Sequence, residues 1–121
     1  MQTYDVAAIR KKFASLAKRA NEPLGTYNDC TLAIGRYVPG KSPWERHNNG
    51  DEMLFVMDGY VAIELLDADG SSTHLRIDEG ALFVVPKGRW HQLTATDPVN
   101  VVYASPSEDG VERTREHPLA K

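Results

Sequence analysis

The sequence predicts an all-β domain, an antiparallel sandwich or closed barrel, with one helix at its N-terminal end. Short β-rich runs follow one another from Cys30 to Ser105, turn residues separate them, and no helical periodicity intervenes. The runs are CTLAIGRYV before Pro39-Gly40, MLFVM before Asp58-Gly59, and YVAIELL before Asp67-Ala68-Asp69-Gly70. They continue with STHLRI before Asp78-Glu79-Gly80, ALFVV before Pro86-Lys87-Gly88, WHQLTAT before Asp97-Pro98, and VNVVYAS before Pro106. A chain this short cannot enclose a wide pore.

Ahead of the strands, residues 5–20 read as one amphipathic helix. Val6, Ile9, Phe13 and Leu16 recur at spacings of three and four, which puts them on one face. Asp5 can cap its start, and the segment Asn21-Glu22-Pro23-Leu24-Gly25 stops it. The apolar stripe is expected to pack on the body of the protein or on a second subunit. The expected organisation is therefore a helix and linker over 1–25, a barrel over 26–106, and a loosely packed polar tail over 107–121.

The 121 residues suit one domain of the common size, roughly 100–150 residues. Hydrophobic residues at 41% and charged residues at 26% describe a globular chain rather than a disordered one. Fourteen basic residues against seventeen acidic ones give a net charge of −3, which argues against a nucleic-acid surface. The one basic cluster (Arg10, Lys11, Lys12, Lys18 and Arg19) alternates with apolar residues and reads as a solvated helix face. The longest apolar run, Ala81–Val85, falls far short of the ~20 residues of a membrane span. A lone cysteine, Cys30, and no visible signal peptide fit a reducing cytoplasm. Cys30 reads as a structural residue, since no base adjoins it.

Chemistry concentrates in two places. In PWERHNNGDE (43–52), Asn48-Asn49-Gly50 signals a turn with positive φ angles, so His47 ends one strand and Glu52 begins the next, as a hairpin. Glu45 and His47, two apart, project to one face, and Arg46 points the other way. Glu45, His47 and Glu52 thus gather near this turn. The second place is GALFVVPKGRWH (80–91), where Pro86 and Gly88 suit positions two and four of a type I turn and His91 opens the next strand. Spacing alone does not bring His91 to His47 and Glu52.

The two stretches resemble the paired motifs of the cupin superfamily, written G-x5-H-x-H-x3,4-E-x6-G and G-x5-P-x-G-x2-H-x3-N. The second matches at Gly80, Pro86, Gly88 and His91, with Ala95 in place of its last Asn. The first matches at Gly40, His47, Glu52 and Gly59; Glu45 stands where its first His would be, and the segment after Gly40 is one residue short. The resemblance covers roughly residues 30–105. It implies a jelly-roll barrel of the RmlC-like type with a divalent metal in its lumen, held by His47, Glu52 and His91, with Glu45 in the fourth place. Two imidazoles and carboxylates would suit Fe, Mn, Ni or Zn, and the extra carboxylate tilts the site toward Mn or Fe.

The function this implies is a small cupin acting on a carbonyl- or carboxylate-bearing molecule, as a dioxygenase, isomerase or lyase. Glu45 would be either ligand or general base, its pKa raised by Glu52. The alternative is a binding or sensing barrel without turnover, with or without a metal, and a third reading is an empty barrel that dimerises through the helix and the tryptophans. A homodimer is expected throughout, with a small-molecule partner and neither nucleic acid nor membrane. Among other candidates, Arg36 and Arg89 could grip an anionic substrate, and Tyr37, Tyr60 and Tyr103 could line the lumen. Leu54 and Val56 share the face of Glu52, Trp44 and Trp90 read as packing or interface residues, and His74 and His117 read as surface residues.

Overall fold

The computed structural model describes residues 3–119. The helix α1 spans Val6–Phe13, and the Asp5 side chain caps it by accepting from the Ala8 N–H at 3.0 Å. It ends well before Ala20, the expected limit. Two tertiary contacts claim the backbone beyond it. The Arg36 Nε donates to the Leu16 carbonyl at 2.8 Å, and Ala20 pairs with Arg36 in a sheet. Ala20–Tyr27 is strand β1, so residues 20–25, expected as helix end and linker, belong to a sheet.

Strand β1 pairs with β2 (Cys30–Tyr37) through the two-residue loop Asn28-Asp29, whose φ angles are 48° and 63°. Positive φ at both positions is what a type I′ hairpin requires, and Asn and Asp tolerate it. Pro23 sits in β1 at the sheet edge, beside a register shift, where a missing N–H costs least.

The remaining strands are β3 (Gly40–Lys41), β4 (Trp44–His47), β5 (Glu52–Asp58), β6 (Tyr60–Leu66), β7 (Ser72–Asp78), β8 (Leu82–Val85), β9 (His91–Ala95), β10 (Val99–Ser105) and β11 (Val111–Thr114). They form two antiparallel sheets, ordered β1-β2-β10-β5-β8 and β11-β4-β9-β6-β7, with β3 added on β9. Two such sheets, face to face, make a jelly roll. Among the described residues no helix is long and apolar enough to cross a membrane.

The sheets close on a core drawn from inward positions: Leu54 and Val56 of β5, Val61, Ile63 and Leu65 of β6, and Val99 and Val101 of β10. Residues two apart share a face, which is why alternation in these runs foretold the core. Gly59 links β5 in one sheet to β6 in the other at φ 73°, and a Cβ there would sit 3.5 Å from the Pro98 carbonyl oxygen and from Val99. Only glycine takes that bend without strain.

Strand β2 is buried on both faces from Ala33 to Arg36. Its inner face looks into the barrel, and α1 packs against the strand. Phe13 is 3% exposed and Ile34 fully buried, while Val6, Ile9 and Leu16 of the stripe are half-buried. The tail is no loose end either: after a 3₁₀ turn at Glu108–Gly110, β11 pairs with β4 along Val111–Thr114. On the opposite edge, β8 turns Leu82 and Val84 outward, 60% and 47% exposed.

Replacing Ile34 by Ala removes a fully buried side chain between two packed layers. We expect a loss of about 2–5 kcal/mol in urea-induced unfolding, and a loss below about 1 kcal/mol would show that the helix does not seal this face.

Candidate metal centre

Strands β4 and β5 do not form the expected hairpin. β4 lies in one sheet and β5 in the other, so residues 48–51 carry the chain across the barrel mouth. None of Asn48, Asn49 and Gly50 has a positive φ. The crossing is held by the tail: the Asn48 N–H donates to the Gly110 carbonyl at 2.9 Å, and the Asn49 Nδ2 donates to Ser107 Oγ at 3.0 Å and Asp109 Oδ1 at 2.7 Å.

The second motif docks on the same crossing. The Gly88 N–H donates to the His47 carbonyl at 2.8 Å, and the Lys87 N–H to Asp51 Oδ1 at 2.8 Å. Its turn is displaced by one residue from the expected register. Arg89 N–H returns to the Pro86 carbonyl at 3.2 Å, which makes Pro86 the first position and Gly88, with φ 75°, the third. Glu45 then pairs with His91 across β4 and β9. Those backbone links supply the proximity that spacing did not.

Glu45, His47, Glu52 and His91 converge so that one donor atom from each lies within 4.8 Å of all the others. That is close to the span of opposite ligands around one ion at bonds of about 2.0–2.2 Å. His47, Glu52 and His91 are buried at 3%, 6% and 3% exposure, and Glu45 is partly buried at the rim. His47 Nε2 lies 3.0 Å from Glu45 Oε1 and 3.2 Å from Glu52 Oε2, and His91 Nε2 lies 3.5 Å from Glu52 Oε1.

Neither ring nitrogen of the buried His47 makes a hydrogen bond despite these neighbours. Its Nε2 faces the point the four side chains share rather than a single partner. The His91 Nδ1 sits 3.2 Å from the Arg89 carbonyl, which fixes that ring and leaves Nε2 turned to the cluster. The donor set therefore fits a divalent metal. A buried imidazole nitrogen within 3.2 Å of two carboxylates, with no hydrogen bond formed to either, faces a position that a cation, a proton or a metal ion, fills.

The electrostatics of the cluster follow from its neighbours. Burial pushes the Glu52 carboxyl up, but His47, His91 and the Ser105 hydroxyl, which donates to Oε2, hold it well below the usual carboxylate range. Burial pushes the His47 imidazole down, and Glu45 and Glu52 more than reverse it. Glu45 departs from expectation. Burial and Glu52 push it up as foreseen, yet His47 and the Arg113 guanidinium outweigh them and its pKa is lowered. Arg113 Nε donates to Glu45 Oε2 at 2.6 Å, and its other nitrogens reach Glu108 at 3.0 and 3.1 Å.

The cluster floors a cavity of about 450 Å³ whose walls include Tyr37, Tyr103, Leu93 and Ser105, with Arg19 and Arg113 also lining it. Tyr37 and Tyr103 line it as expected, and burial pushes both phenols above their ordinary range. Tyr60 does not line it: Arg76 stacks on its ring at 3.7 Å and its hydroxyl meets Thr96. Neither expected arginine reaches the cavity. Arg36 is buried against the Leu16 carbonyl and Asn100, and Arg89 is tied to Asp67 at 2.6 Å and to the Leu66 carbonyl at 2.7 Å.

The arginines that do line it, Arg19 and Arg113, were hidden for different reasons. Arg19 was absorbed into the apparent helix. Arg113 stands in a four-residue edge strand too short for periodicity to register; alternation of Val111 and Arg113 after Gly110 was the one available signal. Trp44 is buried, with its ring 5.1 Å from that of the exposed His117, and Trp90 lies beneath Arg46 at 4.8 Å. Both tryptophans are occupied within the chain. His74 is exposed and Cys30 half-buried.

Comparison with known proteins agrees with this fold. The family model for the cupin domain matches residues 33–105, so the chain belongs to the cupin family. Nectarin-1 from Nicotiana langsdorffii x Nicotiana sanderae is 31% identical over 88 residues, covering 69% of this chain and 38% of that protein. The chain thus spans well under half of that relative's length. Among solved structures, a cupin-2 domain protein from Shewanella frigidimarina NCIMB 400 superposes with a TM-score of 0.67 at 23% identity, covering 82% of this chain and 92% of that one. Oxalate oxidase in complex with the substrate analogue glycolate gives a TM-score of 0.64 at 18% identity, over 82% of this chain and 56% of that one. At these identities the two structures speak to the fold alone.

Replacing Ser105 by Ala leaves the buried Glu52 carboxylate without its hydroxyl donor. Unfolding of the metal-free protein should show a loss of about 1.5–3 kcal/mol, the usual worth of a hydrogen bond to a buried charge. A loss under about 0.5 kcal/mol would mean that the histidines alone carry Glu52.

Proposed function

We propose that this cupin binds a divalent metal, Fe, Mn, Ni or Zn, through His47, Glu52 and His91 with Glu45 as a fourth donor, and acts on a small carbonyl- or carboxylate-bearing molecule. The observation that carries this reading is the buried, unbonded Nε2 of His47 facing two carboxylates and a second imidazole. When bound, the metal would supply Lewis acidity toward a substrate oxygen or an open position for dioxygen.

The chain's own residues divide the remaining work. Ser105 and the two histidines hold Glu52 in place, and the Arg89 carbonyl orients His91. Glu45 has one oxygen toward His47 and the other on Arg113, so it is the donor most easily drawn from the cluster. That makes it the residue that yields a position to substrate, or accepts a proton from it, while the other three stay. Tyr37, Tyr103 and Leu93 keep the cavity partly apolar and limit water around the reacting group. For the reading of an empty dimerising barrel, Phe13 and Trp44 are already buried within the chain, while Val6, Ile9, Leu16 and Trp90 stay half-buried. A homodimer remains part of the proposal, through outward Leu82 and Val84 of β8; Leu82→Glu should then convert a dimer to monomer in light scattering, and a wild-type monomer would remove this part.

Protein purified without a metal-affinity tag should carry near-stoichiometric metal by elemental analysis. His47→Ala and His91→Ala should each lower metal affinity beyond the roughly 10–100-fold that outer-shell changes cost, and Glu45→Ala should lower it less. Absence of metal together with no thermal shift on adding any of the four ions would overturn the reading, and an equal loss in Glu45→Ala would make Glu45 a full ligand. Turnover of a metabolite panel, with and without oxygen, separates an enzyme from a binding or sensing barrel.

A further inference from the structure

We infer that Arg19 is the anchor for a substrate carboxylate, so that the cavity selects small carboxylic acids as their anions over neutral molecules of the same shape. The inference rests on the proposed metal site and narrows its substrate to this class. Arg19 lies in the connection between α1 and β1 and lines the cavity above the His/Glu cluster. Its guanidinium stands 5.5 Å from the centre of the Tyr37 ring, a cation–π approach that leaves its hydrogen-bond donors without a partner among the described residues.

The other arginines show why this one is different. Arg10, Arg46, Arg76, Arg89 and Arg113 each have a carboxylate within 4.0 Å, Arg36 is taken up by the Leu16 carbonyl and Asn100, and Arg115, exposed beyond β11, does not line the cavity. Among the described residues no carboxylate pairs with Arg19. An unpaired, planar, five-donor cation lining a cavity is a ready partner for a bidentate carboxylate.

Charge balance points the same way. With both imidazoles neutral, as metal ligands must be, the ionised side chains lining the cavity are Arg19, Arg113, Glu45, Glu52 and Glu108, which leave one net negative charge. A divalent ion among the glutamates turns that into one net positive charge. Arg113 is already held by Glu45 and Glu108, so the surplus falls to Arg19. A monoanionic acid would bring its functional oxygen to the cluster and its carboxylate to Arg19. A volume of about 450 Å³ admits molecules of that size.

The test uses manganese-loaded protein and three monoanionic acids, lactate, pyruvate and 3-hydroxypropanoate, each beside its neutral amide, with binding read by calorimetry. At least one acid should bind tenfold or more tightly than its amide. Arg19→Gln should cut that preference to within about twofold while leaving manganese affinity unchanged, and Arg19→Lys should keep part of it. Arg19 is exposed, so neither variant threatens the fold. No preference for any acid in the wild type, or a preference that survives in Arg19→Gln, overturns the inference. Failure of wild-type protein to take up manganese or any other ion counts against the metal site instead, and the same acid and amide pairs in metal-free protein then decide Arg19 on its own.

Discussion

The buried carboxylate of Glu52 is the constraint around which the two sheets are arranged. A charge taken out of water has to be matched where it lies, or the fold loses several kcal/mol. Its partners come from separate places: Ser105 on β10 of the same sheet, and His47 and His91 on β4 and β9 of the other. Satisfying it therefore fixes how one sheet sits on the other. The apolar core, with Leu54 and Val56 on the same face of β5, supplies the adhesion. The polar cluster supplies the alignment.

The crossing at residues 48–51 follows from that arrangement. The chain has to leave one sheet at His47 and enter the other at Glu52 within a few residues, and a hairpin cannot do so. Backbone groups freed by the crossing find partners in the PKG turn and in the tail. The tail is thereby part of the site's scaffold: Val111 pairs with His47 and Arg113 with Glu45. The protein holds its candidate ligands from outside the barrel as well as from within.

Much of this was legible in the sequence because period-two alternation and turn residues act locally. YVAIELL and VNVVYAS became strands with those bounds, and Glu45, His47, Glu52 and His91 met as the motif resemblance implied. What was not legible depended on partners distant in sequence. The helix stopped early because Arg36 claims the Leu16 carbonyl and β2 claims Ala20. The loop after His47 read as a hairpin because Asn-Asn-Gly is a local signal that sheet membership overrode. Glu45 read as a carboxyl raised by its neighbour because Arg113, the group that reverses the shift, lies sixty-eight residues away.

Arg19 and Arg113 both stand outside residues 33–105, the stretch that defines the family. The cluster at the cavity floor lies entirely inside it. The His/Glu cluster and the two arginines that share its cavity are thus encoded in different parts of the chain: the first within the family domain, the second in the segments on either side of it. Such a division lets one scaffold diversify by exchanging its ends, since a new rim alters which molecules enter without disturbing the residues that hold the barrel together. Two proteins with the same four donors can then differ in what they accept for reasons that a comparison of their shared domain would not reveal.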